Sequence, residues 1–293
     1  DTLSLQISTA DRIRNTISDA TGVPFDRILV GATHTHTGGA CDYQLWLCPP
    51  DLEVASLTEK GIVSAAIDAH KNLADAQIGT GLGEERRYSF CRDIRLVDGS
   101  IKMNPNRAHP ELMVAPIDTP DYSVNVMRID SAEGAVRGFI VNYANHPDCH
   151  QKNKKSFSAD FPGALRRGLK RVYGEDVFVL FFNGTCGDIN CIDWMKSTSD
   201  SYYGGTKNAP EAIGAGLTST VVGINADIKA DNSAPKIEAI SKEIALSRRY
   251  KTAEDFAAAV LHAVTDGQQA FGITRGHTEY TCYHAPEHGT GAA

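Results

Sequence analysis

The chain has 293 residues, of which 42% are hydrophobic and 22% charged, and its formal net charge is −7. This length allows one large domain or two smaller ones, and either can bury a substantial core. The acidic balance argues against nucleic acid as a partner, and no apolar run approaches the roughly 20 residues that a helix needs to cross a bilayer.

The N-terminal part of the chain predicts two helices with an apolar strand between them. Ser8 or Thr9 can cap a first helix that ends at Gly22. The apolar run 27–32 has the length and composition of a strand in the middle of a sheet. Apolar residues at helical spacing predict a second helix over 51–74.

Two β-hairpins are predicted in the middle of the chain. One spans 94–103 and turns at Gly99, and the other spans 123–143 and turns at Gly134. The return strand of the second hairpin leads directly to His146.

Strands and helices then alternate, which indicates an α/β (or α+β) fold with a mostly buried mixed sheet covered by helices. Asp160 provides a carboxylate at the start of a helix that ends at Gly174. The further predicted elements are a strand over 177–182, a helix over 210–228, a strand near 237–245, and a helix over 256–264 behind a capping box at Thr252.

Seven cysteines are present, and none lies in a C-x-x-C pair. Cys41 with Cys48, or Cys186 with Cys191, are close enough in sequence to form small disulfide loops. We favour the interpretation that these residues are buried free thiols. The residues themselves leave the cellular compartment open.

Polar sequences follow three of the apolar strands. They are the segment that contains His34 and His36, the segment that contains His146, and the turn over 183–188. Ligand sites of open α/β sheets gather beyond strand ends, because side chains there project from a rigid base into a crevice. The sequence therefore predicts a site where these three segments meet.

The histidines of Thr-His-Thr-His predict a divalent metal site, most simply for zinc. Residues two apart in an extended segment point to the same side, so His34 and His36 face one space. Imidazole is both a common metal ligand and a proton carrier near neutral pH. One histidine of the pair can therefore bind the metal while the other serves catalysis. The alternative is that both only form hydrogen bonds at a strand end.

Several short motifs, in their order along the chain, resemble the N-terminal domain of the neutral/alkaline (non-lysosomal) ceramidase family. The resemblance covers roughly residues 1–195. The motifs are Gly22-Val23-Pro24, Thr33-His34-Thr35-His36-Thr37-Gly38, Asn145-His146-Pro147, Ser158-Ala159-Asp160-Phe161-Pro162-Gly163, Phe182-Asn183-Gly184 and Gly187-Asp188-Ile189-Asn190.

The resemblance implies a zinc-dependent amidase, with ceramide as the characterised substrate of the family. It implies that His34 and His146 are zinc ligands, that His36 lies beside the attacking water and the substrate carbonyl, and that Arg92 contacts the substrate. It also implies a secreted or periplasmic location. We expect one catalytic domain over 1–275, cut from a longer protein at both ends, and an irregular tail over 276–293.

The chain departs from the family pattern in two places. The family completes its zinc site with a Glu and a Tyr from a later segment, and neither Glu279-Tyr280 nor Glu287 matches that pattern. The family motif G-D-V-S ends in a serine that is a proposed nucleophile, whereas this chain has Asn190 there. The second departure removes support for a serine mechanism and weakens ceramide as the particular substrate.

The resulting hypothesis is a zinc-dependent hydrolase of amide bonds in N-acyl, ceramide-like substrates, which acts through a water activated by the metal. His36 and Arg92 are the predicted catalytic residues, and Asn183, Asp188 and Asn190 are the predicted substrate contacts. One alternative is a binding domain of the same fold in which a metal only stabilises the structure. Another is a hydrolase of esters or sugar-linked amides. A small-molecule or lipid-like amide is the expected partner, and the oligomeric state stays open.

Overall fold

The computed structural model describes residues 1–42, 50–149, 156–196 and 208–240, with isolated positions between 242 and 257. Four helices are present in this part of the chain: α1 (Ile7–Thr21), α2 (Leu52–Lys71), α3 (Asp160–Tyr173) and α4 (Ala209–Asn225). Its strands are β1 (Ala76–Glu84), β2 (Phe90–Cys91), β3 (Asp93–Leu96), β4 (Ile101–Met103), β5 (Met113–Pro116), β6 (Ser123–Ser131), β7 (Val136–Tyr143), β8 (Phe178–Asn183) and β9 (Ile189–Asn190).

The central sheet has the strand order β1-β6-β7-β8. The pairs β1–β6 and β6–β7 are antiparallel, and β7–β8 is parallel. The sheet is therefore mixed, as predicted, and α3 and α4 pack on it and on each other. In β8 Val179 and Phe181 are buried, whereas Phe178 and Leu180 are about half exposed. This alternation shows that one face of β8 meets the core and the other does not.

The core lies between the sheet and the helix pair α3–α4. Phe161 of α3 packs edge-to-face on Phe181 of β8, with ring centroids 5.4 Å apart. Helix α4 contributes Ile213, Leu217 and Val221 to the same cluster, all fully buried. This packing fixes the C-terminal ends of β7 and β8 relative to α3. The polar segments start at these two ends.

Both predicted hairpins are confirmed. The first is β3–β4, which pairs Asp93 with Met103, and the second is β6–β7, which pairs Val124 with Tyr143. Their turn glycines, Gly99 and Gly134, have φ values of 84° and 86°, a left-handed conformation that favours glycine.

The predicted helices of the described region are also present, with small differences at their ends. Helix α1 begins at Ile7, before Ser8, and no side chain caps it. Asp51 does cap α2, since its carboxylate accepts the backbone N–H groups of Glu53 and Val54. No residue of α2 is buried among the described parts of the chain. Among these residues, no helix combines the length and the hydropathy that a membrane span requires.

The prediction of a strand over 27–32 was wrong. Phe25–Arg27 forms a short 3₁₀ turn, and residues 28–32 form no strand. Leu29, which a central strand would bury, is 81% exposed. Composition favours a strand here, but a strand exists only where a neighbour pairs with its backbone, and no described strand pairs with this run. Residues 237–240 likewise form no strand, and the rest of that prediction lies outside the described residues.

Strand β1 was missing from the sequence prediction because its glycines hide the strand pattern. Gly79, Gly81 and Gly83 alternate along it and face the end of α4. A Cβ atom at Gly81 would lie 2.6 Å from Ile224 and 2.8 Å from Ile228. The absence of side chains on this face thus allows α4 to lie directly on the strand.

We expect Gly79→Ala to destabilise the fold by about 1–3 kcal/mol, the usual cost of overpacking a closely packed contact. The added Cβ would press on the carbonyl of Lys229 and lie 2.7 Å from Ile228, and a backbone carbonyl cannot move aside as a side-chain end can. Urea unfolding measures the effect. The matched control is Gly61→Ala in α2, where nothing lies within 4 Å and a gain of about 0.5–1 kcal/mol is expected. Equal stabilities of the two variants would contradict the close contact.

The free-thiol interpretation is confirmed for the cysteines that the structure describes. Cys41, Cys91, Cys149, Cys186 and Cys191 are free, and all except Cys186 are buried. Cys48 and Cys282 lie outside the described residues, as do the predicted helix over 256–264 and the tail over 276–293.

Candidate metal centre

Three segments meet at one edge of the central sheet. β7 and β8 are parallel and end side by side at Tyr143 and Asn183, so the polar segments that follow them leave the sheet at the same edge. The Asn183 amide also donates a 2.7 Å hydrogen bond to the carbonyl of Thr33. This bond ties the segment that carries His34 to the same edge.

His34, His36 and His146 come together there, and this cluster can hold a metal ion. Nε2 of His34 lies 3.0 Å from Nε2 of His146, which lies 3.1 Å from Nε2 of His36. Two nitrogens bound to one tetrahedral zinc at 2.0–2.1 Å are about 3.3 Å apart. The observed separations are therefore close to those of a shared metal.

The hydrogen bonds on the far side of two rings determine which nitrogens carry lone pairs. Nδ1 of His34 lies 2.7 Å from the carbonyl oxygen of Leu3, and Nδ1 of His146 lies 2.8 Å from that of Cys186. A carbonyl only accepts, so each Nδ1 carries a proton, and in its neutral form each ring presents a lone pair at Nε2. Two lone pairs 3.0 Å apart repel each other unless a cation lies between them. Carbonyl acceptors behind the rings are also what metal-binding histidines usually have.

Burial lowers the pKa of His146, and the positive charge of Arg92 lowers it further. The bond to Cys186 and the carboxylate of Asp148 oppose this shift but do not cancel it. His146 is only 4% exposed. A lowered pKa favours the neutral imidazole, which is the form that binds a metal.

His34 has a left-handed backbone, with φ at 66°. Such a conformation is uncommon outside glycine and costs of order 1 kcal/mol. The N–H of His34 donates to the carbonyl of Thr2, 2.9 Å away. Residues 2 and 3 thus hold both the backbone and the ring of His34.

His36 has different surroundings. Its Nδ1 lies 3.9 Å from the carboxylate of Asp148, and its side chain is 25% exposed, more than the buried ring of His146. Its backbone N–H donates to the carbonyl of Pro147. The ring therefore has Nε2 facing His146 on one side and a carboxylate on the other.

Arg92 lies beside this cluster. Its guanidinium donates to the carbonyl of Gly187 at 2.6 Å, and its backbone N–H donates to Asp188. Its positive charge lowers the pKa of His146, by less than burial does. Nε of Arg92 is buried without a partner among the described residues.

The three predicted substrate contacts differ in their burial and in their hydrogen-bond partners. Asn183 bonds the backbone of Thr33, as described above. The carboxylate of Asp188 is half-buried, 3.9 Å from the thiol of Cys91. Asn190 is 3% exposed in β9, opposite Phe90. Contact of these residues with a substrate stays a prediction, and so do the separate roles of the three histidines.

Sequence reasoning assigned no role to Asp148 or to the carbonyls of Leu3 and Cys186. Asp148 had one available signal, its place two residues after His146. The carbonyls gave no signal in the sequence, because every residue has a backbone carbonyl. The residues considered for the family's later ligands, Glu279, Tyr280 and Glu287, lie outside the described residues.

Comparison with solved structures confirms the fold that the resemblance implied. The neutral ceramidase from Pseudomonas aeruginosa has a TM-score of 0.54 at 16% identity, over 75% of this chain and 35% of its own. A ceramidase complexed with C2 has a TM-score of 0.57 at 18% identity, over 76% of this chain and 34% of its own. The chain thus spans about a third of the length of these ceramidases. No protein-family model and no curated protein matches its sequence.

Proposed function

We propose that this chain carries a zinc centre that hydrolyses amide bonds of N-acyl, ceramide-like substrates. The observation that supports it most is the 3.0 Å approach of Nε2 of His34 to Nε2 of His146, while both Nδ1 atoms donate to backbone carbonyls. The fold shared with two ceramidase structures supports the reaction class.

His34 and His146 would hold the zinc. When bound, zinc supplies a Lewis acid for the substrate carbonyl and lowers the pKa of a water to about 7. Catalytic zinc sites normally have three protein ligands, so the proposal requires at least one more. The family resemblance assigns it to a later segment, beyond the residues described here.

His36 is proposed to move the proton. Its Nε2 lies 3.1 Å from Nε2 of His146, within reach of a group that reacts beside that ring, and its Nδ1 faces the Asp148 carboxylate. An imidazole backed by a carboxylate can accept a proton from the attacking water and donate it to the leaving amine.

Arg92 is proposed to anchor the substrate. A guanidinium has five N–H donors, and the side-chain bond to Gly187 uses one of them. The remaining donors can bind a substrate oxygen, while the turn over 183–188 forms the floor of the site. Asn190 replaces the family's serine, so no covalent step is assigned to that turn.

The test uses the protein from its complete open reading frame. Zinc is measured by atomic emission, and hydrolysis is measured on an N-acylsphingosine, an N-acyl amino acid and a matched ester. We expect stoichiometric zinc, cleavage of an amide, loss of activity with a chelator and recovery with zinc. Zinc-free protein with full activity would contradict the proposal. Zinc-loaded protein that hydrolyses none of the substrates would support the metal-stabilised binding domain instead.

A further inference from the structure

The carbonyl of Ser158 bonds the side of the histidine segment that faces away from the metal centre. It accepts the hydroxyls of Thr35 at 2.9 Å and Thr37 at 3.1 Å. The N–H of Ser158 donates to the carbonyl of Thr37 at 2.9 Å. Thr35 is fully buried and Thr37 is 5% exposed. In this segment the histidines thus face the metal centre, and these two threonines face Ser158.

Asp160, two residues later, bonds the other histidine-bearing segment. Its Oδ2 accepts the N–H of Cys149 at 2.9 Å, and its Oδ1 accepts the N–H of Phe161 at 2.6 Å. Cys149 lies three residues after His146. Asp160 is 2% exposed and has a left-handed φ of 55°. Such a conformation persists only where the surrounding structure holds it, and it is often found near functional sites.

We propose that residues 158–160, the clamp segment, are the positioning element of the metal centre. Their bonds join the segment of His34 and His36 to the segment of His146, which lies 112 residues away from His34 in sequence. One direct backbone bond, from His36 to Pro147, also joins the two segments, and the clamp segment holds them from the opposite side. Thr35 and Asp160 are therefore positioning residues that act through the histidines.

This inference relies on the proposed function only for the identity of the metal. Removing a group that orients a metal ligand typically costs 10–100-fold in metal affinity. Thr35→Val keeps the shape of the side chain and removes the hydroxyl. Asp160→Asn leaves one acceptor oxygen for two N–H donors. We expect each variant to bind Zn²⁺ about 10–100-fold more weakly, by competition with a chelating dye. In the double variant the loss of zinc affinity should be smaller than the product of the two single losses, because either change alone already uncouples the two histidine-bearing segments.

The matched control is Thr220→Val, which removes a hydroxyl bonded at 2.7 Å to the carboxylate of Glu85, away from the centre. It should lose stability and keep its zinc affinity. A second readout uses no metal: long-range ¹H–¹⁵N spectra of the histidine rings. In the metal-free wild type, His34 and His146 should have the Nδ1–H tautomer. In the clamp variants these two rings should show a mixture of tautomers, while the rest of the spectrum stays native.

Unchanged zinc affinity together with unchanged histidine forms in Thr35→Val would overturn the positioning role. Where Asp160→Asn does not fold, Thr35→Val decides alone. If the wild type binds no zinc, the proposed function fails, and the histidine spectra alone decide the role of the clamp segment.

Discussion

His34→Ala is expected to weaken zinc binding at least a hundredfold and to abolish amide hydrolysis. Loss of a residue that only hydrogen-bonds to a metal ligand costs up to about a hundredfold in affinity, and loss of a ligand itself should cost at least as much. The ring supplies one of the two nitrogens that approach to 3.0 Å. Its removal also ends the repulsion between two lone pairs, so the metal-free variant should lose little stability. The same loss of zinc is expected for His146→Ala.

Thermal unfolding with and without zinc measures this directly. A ligand at 1,000 times its Kd stabilises the native state by about 4.1 kcal/mol, whereas one at 10 times its Kd stabilises it by about 1.4 kcal/mol. A hundredfold loss of affinity should therefore reduce the zinc-dependent rise of Tm in His34→Ala to about a third of the wild-type rise or less. The matched control is His109→Ala, an exposed histidine that contacts Glu111, and it should respond to zinc as the wild type does. A zinc-dependent rise of Tm as large as that of the wild type in both His34→Ala and His146→Ala would exclude the proposed ligands.

The elements that the sequence predicted correctly are those governed by local chemistry. Gly99 and Gly134 supply the positive φ that each hairpin turn requires, and a glycine with strand-like runs on both sides is visible in one sequence. Gly174 follows α3 in the same way. Turn and helix-end residues act within a few positions, so their effect can be read without knowing the rest of the fold.

The incorrect elements depend on distant residues. β1 is a strand because it pairs with β6 along its whole length, and Ile224 and Ile228 occupy the space that side chains would take on its glycine face. The run 27–32 has a strand's composition and lacks a paired neighbour among the described strands. The strand pairing joins β1 to residues about 40–55 positions away, and the helix packing joins it to residues more than a hundred positions away. Neither is visible in a short window of sequence.

In the candidate site, too, some features could be predicted from local sequence and others depend on distant residues. The sequence predicted both rings on one side because the segment was expected to be extended. The backbone at His34 is left-handed instead, yet the structure does bring His34, His36 and His146 together. The groups that fix the rings, the carbonyls of Leu3 and Cys186, belong to every residue type and have no sequence signature. Chemistry-bearing side chains could thus be predicted, whereas the backbone atoms that orient them could not.

The second large effect is expected at His36, where loss of the ring should separate catalysis from metal binding. His36→Ala should lower kcat/KM by about 10²–10⁴, the usual contribution of a general acid–base group. Its zinc affinity should stay within about tenfold of the wild type, because in the proposed function the zinc is held by His34, His146 and a further ligand, and not by His36. Asp148→Asn should produce a smaller loss in the same direction, since an amide stabilises the protonated ring less.

Zinc content and hydrolysis must be measured on the same preparation of His36→Ala. Full zinc with slow hydrolysis would support the proton-carrying role. Loss of zinc as complete as in His34→Ala would instead make His36 the third metal ligand. The geometry is compatible with that result, since Nε2 of His36 is as close to His146 as a shared zinc requires. In that case Asp148, behind the ring, would orient a ligand, and the proton carrier would have to be sought among other groups at this edge of the sheet.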